Sequence, residues 1–396
     1  MSVTLSHHPQ LALEQSIVQM SIRGGGQVIV VPSQHKYTNT NALPHIARYK
    51  HLNTSIMPHS KSRRNQRARL VRDLDKRIHD LAQLRVKHFT NAQRISLTNV
   101  SIGDLRARWS LVQKGLHPAV LRQVPKFTRI PSNPHQPLLI YGSDGGLLAA
   151  RVRSRRPDLI QNLSTTIDTL PLIKHYKHKG VPQSEYQTRH LGIWAPYMTT
   201  PEYTAEHREN RAVHDQFLKD NAELFRDMSG FMGQLIPGVF KEFLRYPLRN
   251  GHKRPCGAWA SCVVNNGGNN PNQTNIHRDV KESQFRYSCV VSCGDYTGGD
   301  IHLYDLNYTL EMAPGDFLLF PDSIIHHANE AAEGTRKSVV TFTQENIFDF
   351  WRRKYEMRLK RHVAKEKRES KKKDQKAREK LMKKQETDRN RRLKKK

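Results

Sequence analysis

The fold of this chain is decided by the stretch Met312-Ala313-Pro314-Gly315-Asp316-Phe317-Leu318-Leu319-Phe320-Pro321, a tight turn that leads into an apolar run. A short apolar run bounded by turn residues is typical of a buried strand. Two similar stretches lie upstream, Tyr-Ser-Cys-Val-Val-Ser at 287–292 and Thr-Gly-Gly-Asp-Ile-His-Leu-Tyr at 297–304. Short strands with glycine and proline punctuation about every ten residues predict a small antiparallel barrel or a double-sheet jelly roll.

Candidate metal ligands lie on both sides of these strands in the sequence. His277 and Asp279 are two residues apart, and alternate side chains of an extended strand point the same way, so both can face one metal ion. A histidine pair, His326 and His327, follows about fifty residues later. Adjacent strand residues face opposite sides, so only one of the pair can join the site. Two histidines and one carboxylate on one face of a non-haem Fe(II) leave the other face open to activate O₂.

A candidate carboxylate clamp follows the histidine pair. Arg336 lies nine residues past His327, in Gly-Thr-Arg-Lys-Ser-Val-Val-Thr-Phe, whose β-branched alternation predicts a further strand. A guanidinium at this place can bind the distal carboxylate of 2-oxoglutarate through a two-pronged, charge-assisted pair.

In this order the motifs resemble the 2-oxoglutarate/Fe(II) dioxygenases, a family with a double-stranded β-helix core. Within the family, the chain is most similar to the TET/JBP-type branch of fungi, which is often associated with mobile elements. The similarity covers residues 120–351 and is strongest in the iron and cosubstrate motifs at 276–342. It is carried by His277-x-Asp279, Gly-Gly-Asp-Ile-His-Leu (298–303), Pro-Gly-Asp-Phe-Leu-Leu-Phe-Pro (314–321), His327, Arg336 and, upstream, Leu-Gly-Ile-Trp-Ala-Pro-Tyr (191–197).

The resemblance implies Fe(II), 2-oxoglutarate and O₂ as cofactor and cosubstrates, and oxidation of 5-methylcytosine in nucleic acid with succinate and CO₂ as by-products. It favours His327 as the third iron ligand, because the spacing to Arg336 and the pattern His327-Ala328-Asn329 match the family; His326 is the alternative. Prolyl hydroxylases share these motifs, so a protein hydroxylase is the second interpretation. A non-catalytic nucleic-acid-binding protein is the third, and the intact His, Asp, His and Arg set argues against it.

A polar segment precedes the first metal ligands. Residues 265–273, Asn-Asn-Gly-Gly-Asn-Asn-Pro-Asn-Gln, contain nothing that could form a core, so we expect a surface loop beside the metal. The amide side chains of Asn266 and Asn270 are candidates to contact a flipped-out base or its phosphates. A plain long connection is the alternative.

Charge is distributed unevenly along the chain. The net charge is +30, yet residues 190–350 hold 14 Lys/Arg against 20 Asp/Glu, so this core carries −6 and the flanks +36. Residues 359–396 alone hold 19 Lys/Arg and 6 Asp/Glu, and residues 61–69 form a second basic cluster. Basic flanks of this kind predict binding to a nucleic-acid backbone and are equally typical of nuclear import signals. The family resemblance favours DNA over RNA as the partner.

The sequence predicts four parts and one α+β fold. Residues 1–60 are expected to be disordered, 61–119 to be a basic helical region, 120–351 the dioxygenase domain, and 352–396 a Lys/Arg-rich tail that is disordered or a solvated helix. The domain is expected to be a jelly-roll (cupin-like) double-stranded β-helix supported by helices at 203–246.

Cysteine usage and hydropathy suggest a location. Four cysteines provide no disulfide framework, no charged-apolar-small segment opens the chain, and the longest apolar runs are too short to cross a bilayer. We therefore expect an intracellular, reducing location without membrane association, and the basic clusters predict that this location is the nucleus. The sequence does not indicate the oligomeric state.

Overall fold

A computed structural model describes residues 88–113, 126–171, 187–195, 200–245, 254–267, 273–279 and 287–393, with a few isolated residues before 88. The chain divides into two compact units. The first comprises residues 1–38 and 74–347, and the second comprises residues 39–73 and 348–396.

The first unit is built on a large sheet. Among the described residues its strand order is β3-β5-β6-β14-β10-β17-β9-β7-β8, and neighbours are antiparallel except for the parallel pair β3–β5. The strands of the described residues are β1 (Met20–Ser21), β2 (Gln27–Val28), β3 (Gln93–Ser96), β4 (Thr128–Ile130), β5 (Leu138–Tyr141), β6 (Leu147–Arg153), β7 (Gln187–Trp194), β8 (Glu202–Tyr203), β9 (Ser261–Asn266), β10 (Ser288–Cys293), β11 (Tyr296–Gly298), β12 (Ile301–Leu303), β13 (Tyr308–Leu310), β14 (Asp316–Phe320), β15 (His327–Asn329), β16 (Ala332–Gly334) and β17 (Lys337–Phe342).

A smaller sheet, with strand order β15-β12-β13-β4, shares a hydrophobic core with the large one. Inward-facing residues of both sheets are buried in one cluster, among them Val290, Leu318 and Phe320 from the large sheet and Ile301, Leu303 and Leu310 from the small one. Two sheets that share one core form the jelly-roll core of an α+β fold, as the sequence predicted. A separate two-stranded ribbon pairs β11, which ends directly before Gly299, with β16, which ends two residues before Arg336.

Helices support the large sheet. Helix α2 begins with a proline, buries Leu159, Ile160, Leu163 and Ile167 at helical spacing, and contacts β9 and β10. The support layer predicted at 203–246 is confirmed, because Phe217, Leu218, Leu224, Phe225, Met228 and Phe231 are all buried. The helices are α1 (Ile102–Gln113), α2 (Pro157–Asp168), α3 (Ala205–Glu209), α4 (Arg211–Asp220), α5 (Ala222–Leu235), α6 (Pro237–Arg245) and α7 (Glu345–Leu393).

Two predicted boundaries differ from the structure. The predicted basic helical region at 61–119 contains strand β3, which pairs with β5, so the large sheet begins before residue 120. This strand was missed because its sequence, Gln-Arg-Ile-Ser, carries little apolar signal. In the segment predicted to be disordered, 1–60, the short strands β1 and β2 pair with each other, and its other residues lie outside the described ones.

The described part of the second unit is helical. Helix α7 is continuous over 49 residues, and the side chains described along residues 363–387 are exposed. The tail is therefore a solvated helix, one of the two forms expected. Across the described ranges, every helix lacks the length or the apolarity needed to span a bilayer.

Candidate metal centre and carboxylate clamp

The structure brings together the three residues predicted as metal ligands. His277, Asp279 and His327 each offer one ligand atom, and these atoms lie within 4.8 Å of one another. His327 Nε2 is 3.8 Å from Asp279 Oδ2, and the two imidazole ring centroids are 4.3 Å apart. Two imidazoles and one carboxylate converging from one side are the donor set that non-haem Fe(II) sites use.

Main-chain hydrogen bonds hold the two halves of this set together. His277 N donates to His327 O at 3.0 Å, and His327 N donates to His277 O at 2.9 Å. Asp279 N donates to Asp322 O at 3.2 Å. The ligand positions are thus fixed by the backbone, although the two segments are distant in the chain.

The tautomers of both histidines suit a metal ligand. His277 Nδ1 donates to Asn275 O at 2.7 Å, and His327 Nδ1 donates to Ile325 O at 3.0 Å. A carbonyl oxygen can only accept, so Nδ1 carries the proton in each ring and Nε2 keeps its lone pair. This outer hydrogen bond orients metal-bound histidines generally. The residues present therefore fit a divalent metal ion.

His327 lies in an apolar setting that keeps it neutral. The Phe320 ring meets the His327 ring edge-on at 5.0 Å between centroids. Burial lowers the pKa of His327 to about 4, and the adjacent His277 ring contributes to the lowering. At neutral pH the imidazole is therefore in the unprotonated form that binds metals.

The alternative ligand, His326, does not join the set. Its Nδ1 lies 2.9 Å from Asp305 Oδ2, and its backbone N donates to the same oxygen at 2.7 Å. Burial acts to raise the pKa of Asp305, but the hydrogen bonds from His326 outweigh it and hold the pKa below its usual range. The structure thus turns His327 toward the other ligands and His326 toward Asp305.

The predicted clamp residue, Arg336, lies directly before β17 of the large sheet, and its side chain is only 5% exposed. Its guanidinium carbon is 5.7 Å from the centroid of the Tyr296 ring. Gly299, in the Gly-Gly pair before β12, lies against its aliphatic stem. The predicted clamp residue therefore adjoins a strand of the large sheet, whereas His327 lies in β15 of the small one.

One predicted substrate-loop residue has a different setting from the expected one. Asn266 is the last residue of β9, and in the sheet register it pairs with Gln187 on one side and Lys337 on the other. The sequence predicted a loop from residue 265, but β9 continues through Asn266 because both of its neighbouring strands extend that far. Asn270 lies outside the described residues.

Sequence reasoning missed Asp305, Tyr296 and Gly299. Asp305 is the hydrogen-bond partner of His326. Tyr296 and Gly299 both lie against Arg336. The sequence signal for these residues was the glycine pair at 298–299, which indicates a turn but not a contact with Arg336. The cysteines at 289 and 293 are buried and free.

No protein-family model and no curated protein sequence matches the chain. Several solved structures are similar to it. NgTET1 in complex with 5mC DNA has a TM-score of 0.46 and 14% identity, covering 69% of this chain and 91% of that one. A 2OG-Fe(II) oxygenase family oxidoreductase from Burkholderia pseudomallei has a TM-score of 0.31 and 12% identity, covering 46% and 77%.

The structural neighbours of this chain include 2OG-Fe(II) oxygenases. The viral collagen prolyl hydroxylase of Paramecium bursaria Chlorella virus-1, solved with 2OG, has a TM-score of 0.25 and 12% identity, covering 46% of this chain and 87% of that one.

Proposed function

We propose that this protein is a 2-oxoglutarate- and Fe(II)-dependent dioxygenase that oxidises 5-methylcytosine in nucleic acid. The observation that carries the proposal is the convergence of His277, Asp279 and His327, with both Nε2 atoms held ready to bind a metal. When bound, Fe(II) supplies the O₂ activation, and 2-oxoglutarate supplies the electrons as it is converted to succinate and CO₂.

Each residue of the site has a distinct role in this proposal. Asp279 provides the anionic ligand, and His277 and His327 provide neutral nitrogen ligands. Arg336 binds the distal carboxylate of 2-oxoglutarate, because a buried guanidinium offers a planar fork of donors in a low-dielectric setting.

The nucleic-acid substrate is supported by charge. Residues 190–350 carry a net charge of −6, so the core has no excess of positive charge with which to attract phosphates. Helix α7 presents a dense series of exposed lysine and arginine side chains from residue 365 onward. Such a surface binds polyanions through release of condensed counterions, without reading sequence. The choice of 5-methylcytosine rests on the TET/JBP-type resemblance of the motifs.

Two further elements complete the proposal. Asn266, at the end of β9, and Asn270 remain candidates for contacts with the extruded base or its phosphates. The basic clusters at 61–69 and 359–396 are also expected to direct the protein to the nucleus.

Turnover assays test the proposal. The full chain is incubated with Fe(II), 2-oxoglutarate and, separately, 5-methylcytosine DNA, 5-methylcytosine RNA and a proline-containing peptide, and products are read by mass spectrometry. We expect a gain of one oxygen on the methylated DNA, and none with Asp279→Ala. Oxidation of the peptide alone would assign the protein to the protein hydroxylases. Absence of 2-oxoglutarate decarboxylation with every substrate would leave a non-catalytic nucleic-acid-binding protein.

A further inference from the structure

The backbone at Gly299 lies unusually close to the side chain of Arg336. A Cβ atom built at Gly299 would be 2.5 Å from Arg336 Cδ and 2.6 Å from its Nε, and 3.1 Å from the Cβ of Ala332. Real Cβ atoms do not approach other heavy atoms below 3.0 Å. These contacts fall on the middle of the arginine side chain, so the guanidinium could not stay in place if residue 299 had a side chain.

Arg336 has little room to move away. Its side chain is 5% exposed, and the Tyr296 ring lies on it at 5.7 Å from the guanidinium carbon. Tyr296 is itself fixed, because its hydroxyl donates to Met312 O at 2.5 Å. Gly299 N also donates to Ala331 O at 3.0 Å, which anchors the glycine backbone beside the arginine.

We propose that Gly299 is a positioning residue for the cosubstrate. The absence of a side chain lets the backbone lie against the stem of Arg336, and this contact sets the direction in which the guanidinium meets the distal carboxylate of a 2-oxo dicarboxylate. The inference rests on the proposed role of Arg336 as the carboxylate clamp. It extends that role, because a bidentate pair depends on the orientation of the fork as well as on its charge.

The neighbouring glycine provides a matched control. Gly298 and Gly299 have φ angles of +71° and +68°, so an L-residue meets the same backbone penalty at either position. A Cβ at Gly298 would instead lie 2.8 Å from the backbone oxygen of Ala331, with no atom of Arg336 among its nearest neighbours. The two variants share the φ penalty, and each adds a contact of its own, with Ala331 O at Gly298 and with Arg336 at Gly299. A larger loss of 2-oxoglutarate affinity at Gly299 therefore points to Arg336, and a double-mutant cycle with Arg336→Ala tests this.

The experiment measures 2-oxoglutarate binding by calorimetry on the full chain loaded with Mn(II) in place of Fe(II). We expect Gly299→Ala to weaken 2-oxoglutarate binding by at least about tenfold, because a misdirected guanidinium loses a bidentate pair, while Gly298→Ala stays within about twofold. Mn(II) affinity is expected to be unchanged in both. Asparagine tolerates positive φ better than alanine, so Gly298→Asn and Gly299→Asn form a second matched pair if either alanine variant folds poorly.

A double-mutant cycle separates positioning from a general structural effect. In an Arg336→Ala background, Gly299→Ala is expected to cause no further loss of 2-oxoglutarate affinity, because the group that it displaces is gone. Equal losses at both glycines, or a tenfold loss that persists in the Arg336→Ala background, would overturn the inference alone. An unchanged affinity in Arg336→Ala itself would overturn the clamp of the proposed function, and the inference with it.

Discussion

His277 and His327 exchange both of their backbone hydrogen bonds, at 3.0 and 2.9 Å, although they lie fifty residues apart. This reciprocal pair is an isolated bridge between His277, which lies outside the named strands, and His327, the first residue of β15. Because the main chain holds the two positions together, removal of either imidazole takes away a ligand without removing the link that brings the segments together. Ligand substitutions at this site can therefore be interpreted as changes in metal binding.

The choice between the two histidines can be tested with paired asparagine variants. His327→Asn removes an Nε2 ligand, so we expect metal affinity to fall by more than the roughly 10- to 100-fold that loss of an outer-shell partner costs. In His326→Asn the side-chain amide takes the place of Nδ1 as a donor to Asp305. Metal affinity should therefore be retained. Titration with Co(II) under anaerobic conditions measures both. Retained metal binding in His327→Asn, together with loss in His326→Asn, would assign the ligand to His326.

Asp279 is expected to be indispensable for the metal. Asp279→Ala removes the only carboxylate of the described ligand group, and with it the charge that balances a divalent ion. Both metal occupancy, measured by elemental analysis, and 2-oxoglutarate decarboxylation should collapse. Asp279→Glu keeps the charge and serves as the control. Normal Fe(II) affinity in Asp279→Ala would show that the metal binds elsewhere.

Arg336 is expected to act on the cosubstrate alone. Arg336→Ala should weaken 2-oxoglutarate binding by roughly 1.5–3 kcal/mol, about 10- to 150-fold, and leave metal affinity nearly unchanged. Arg336→Lys should recover part of the loss, since an ammonium cannot present a planar fork. The measurement is calorimetric titration of the metal-loaded protein. A shift of the metal affinity by a similar factor would argue that Arg336 supports the fold of the site instead.

Stability is expected to fall in mild acid because several buried histidines, among them His207 and His214, have lowered pKa values. Burial lowers the pKa of His207 and of His214 below the usual value near 6.5, and for His207 the Asp215 carboxylate only partly opposes this. A lowered folded-state pKa means that the unfolded chain binds more protons, so stability is full above about pH 6.5 and declines below it.

Thermal unfolding between pH 5 and pH 8 measures this effect. Each unit by which a pKa is lowered corresponds to about 1.4 kcal/mol of lost stability once the pH has fallen below the folded-state pKa. Replacement of the buried His214 by leucine should flatten the decline, whereas His135→Gln, at an exposed position, should leave it as in the wild type. Parallel pH profiles for wild type and His214→Leu would refute the assignment.

The salt dependence of DNA binding should follow the charge of helix α7. Four exposed lysines, Lys367, Lys371, Lys372 and Lys373, can be replaced by glutamine in the full chain. For each phosphate that the helix no longer neutralises, the slope of log affinity against log salt should become shallower by about 0.9 for duplex DNA. The control variant, Glu366→Gln with Glu369→Gln, removes two negative charges from the same part of the helix. It should not reduce the slope. If the lysine variant has the same slope as the wild type, helix α7 does not neutralise DNA phosphates, and its role would be nuclear targeting alone.

Local sequence pattern was sufficient for the fold class and for the candidate ligands His277 and Asp279, with His326 or His327 as the third. The apolar run at 317–320, with its Pro-Gly turn, indicated a buried strand, and the two-residue spacing of His277 and Asp279 placed them on one side of the chain. These features depend on turn chemistry and on strand periodicity, which act between neighbours in sequence. The same holds for the supporting helices at 203–246, whose apolar spacing is helical.

Tertiary structure alone decided between His326 and His327, because the choice depends on Asp305, which lies in a different strand connection and accepts the hydrogen bonds of His326. It also placed Asn266 within β9, where both neighbouring strands extend to its level, and it placed Gly299 beneath Arg336. None of these contacts leaves a periodic signal, because each joins residues that are distant in the chain and is set by strand register and close packing. The sequence by itself therefore determined which residue types form the site, and the packing of the two sheets decided which of them meet.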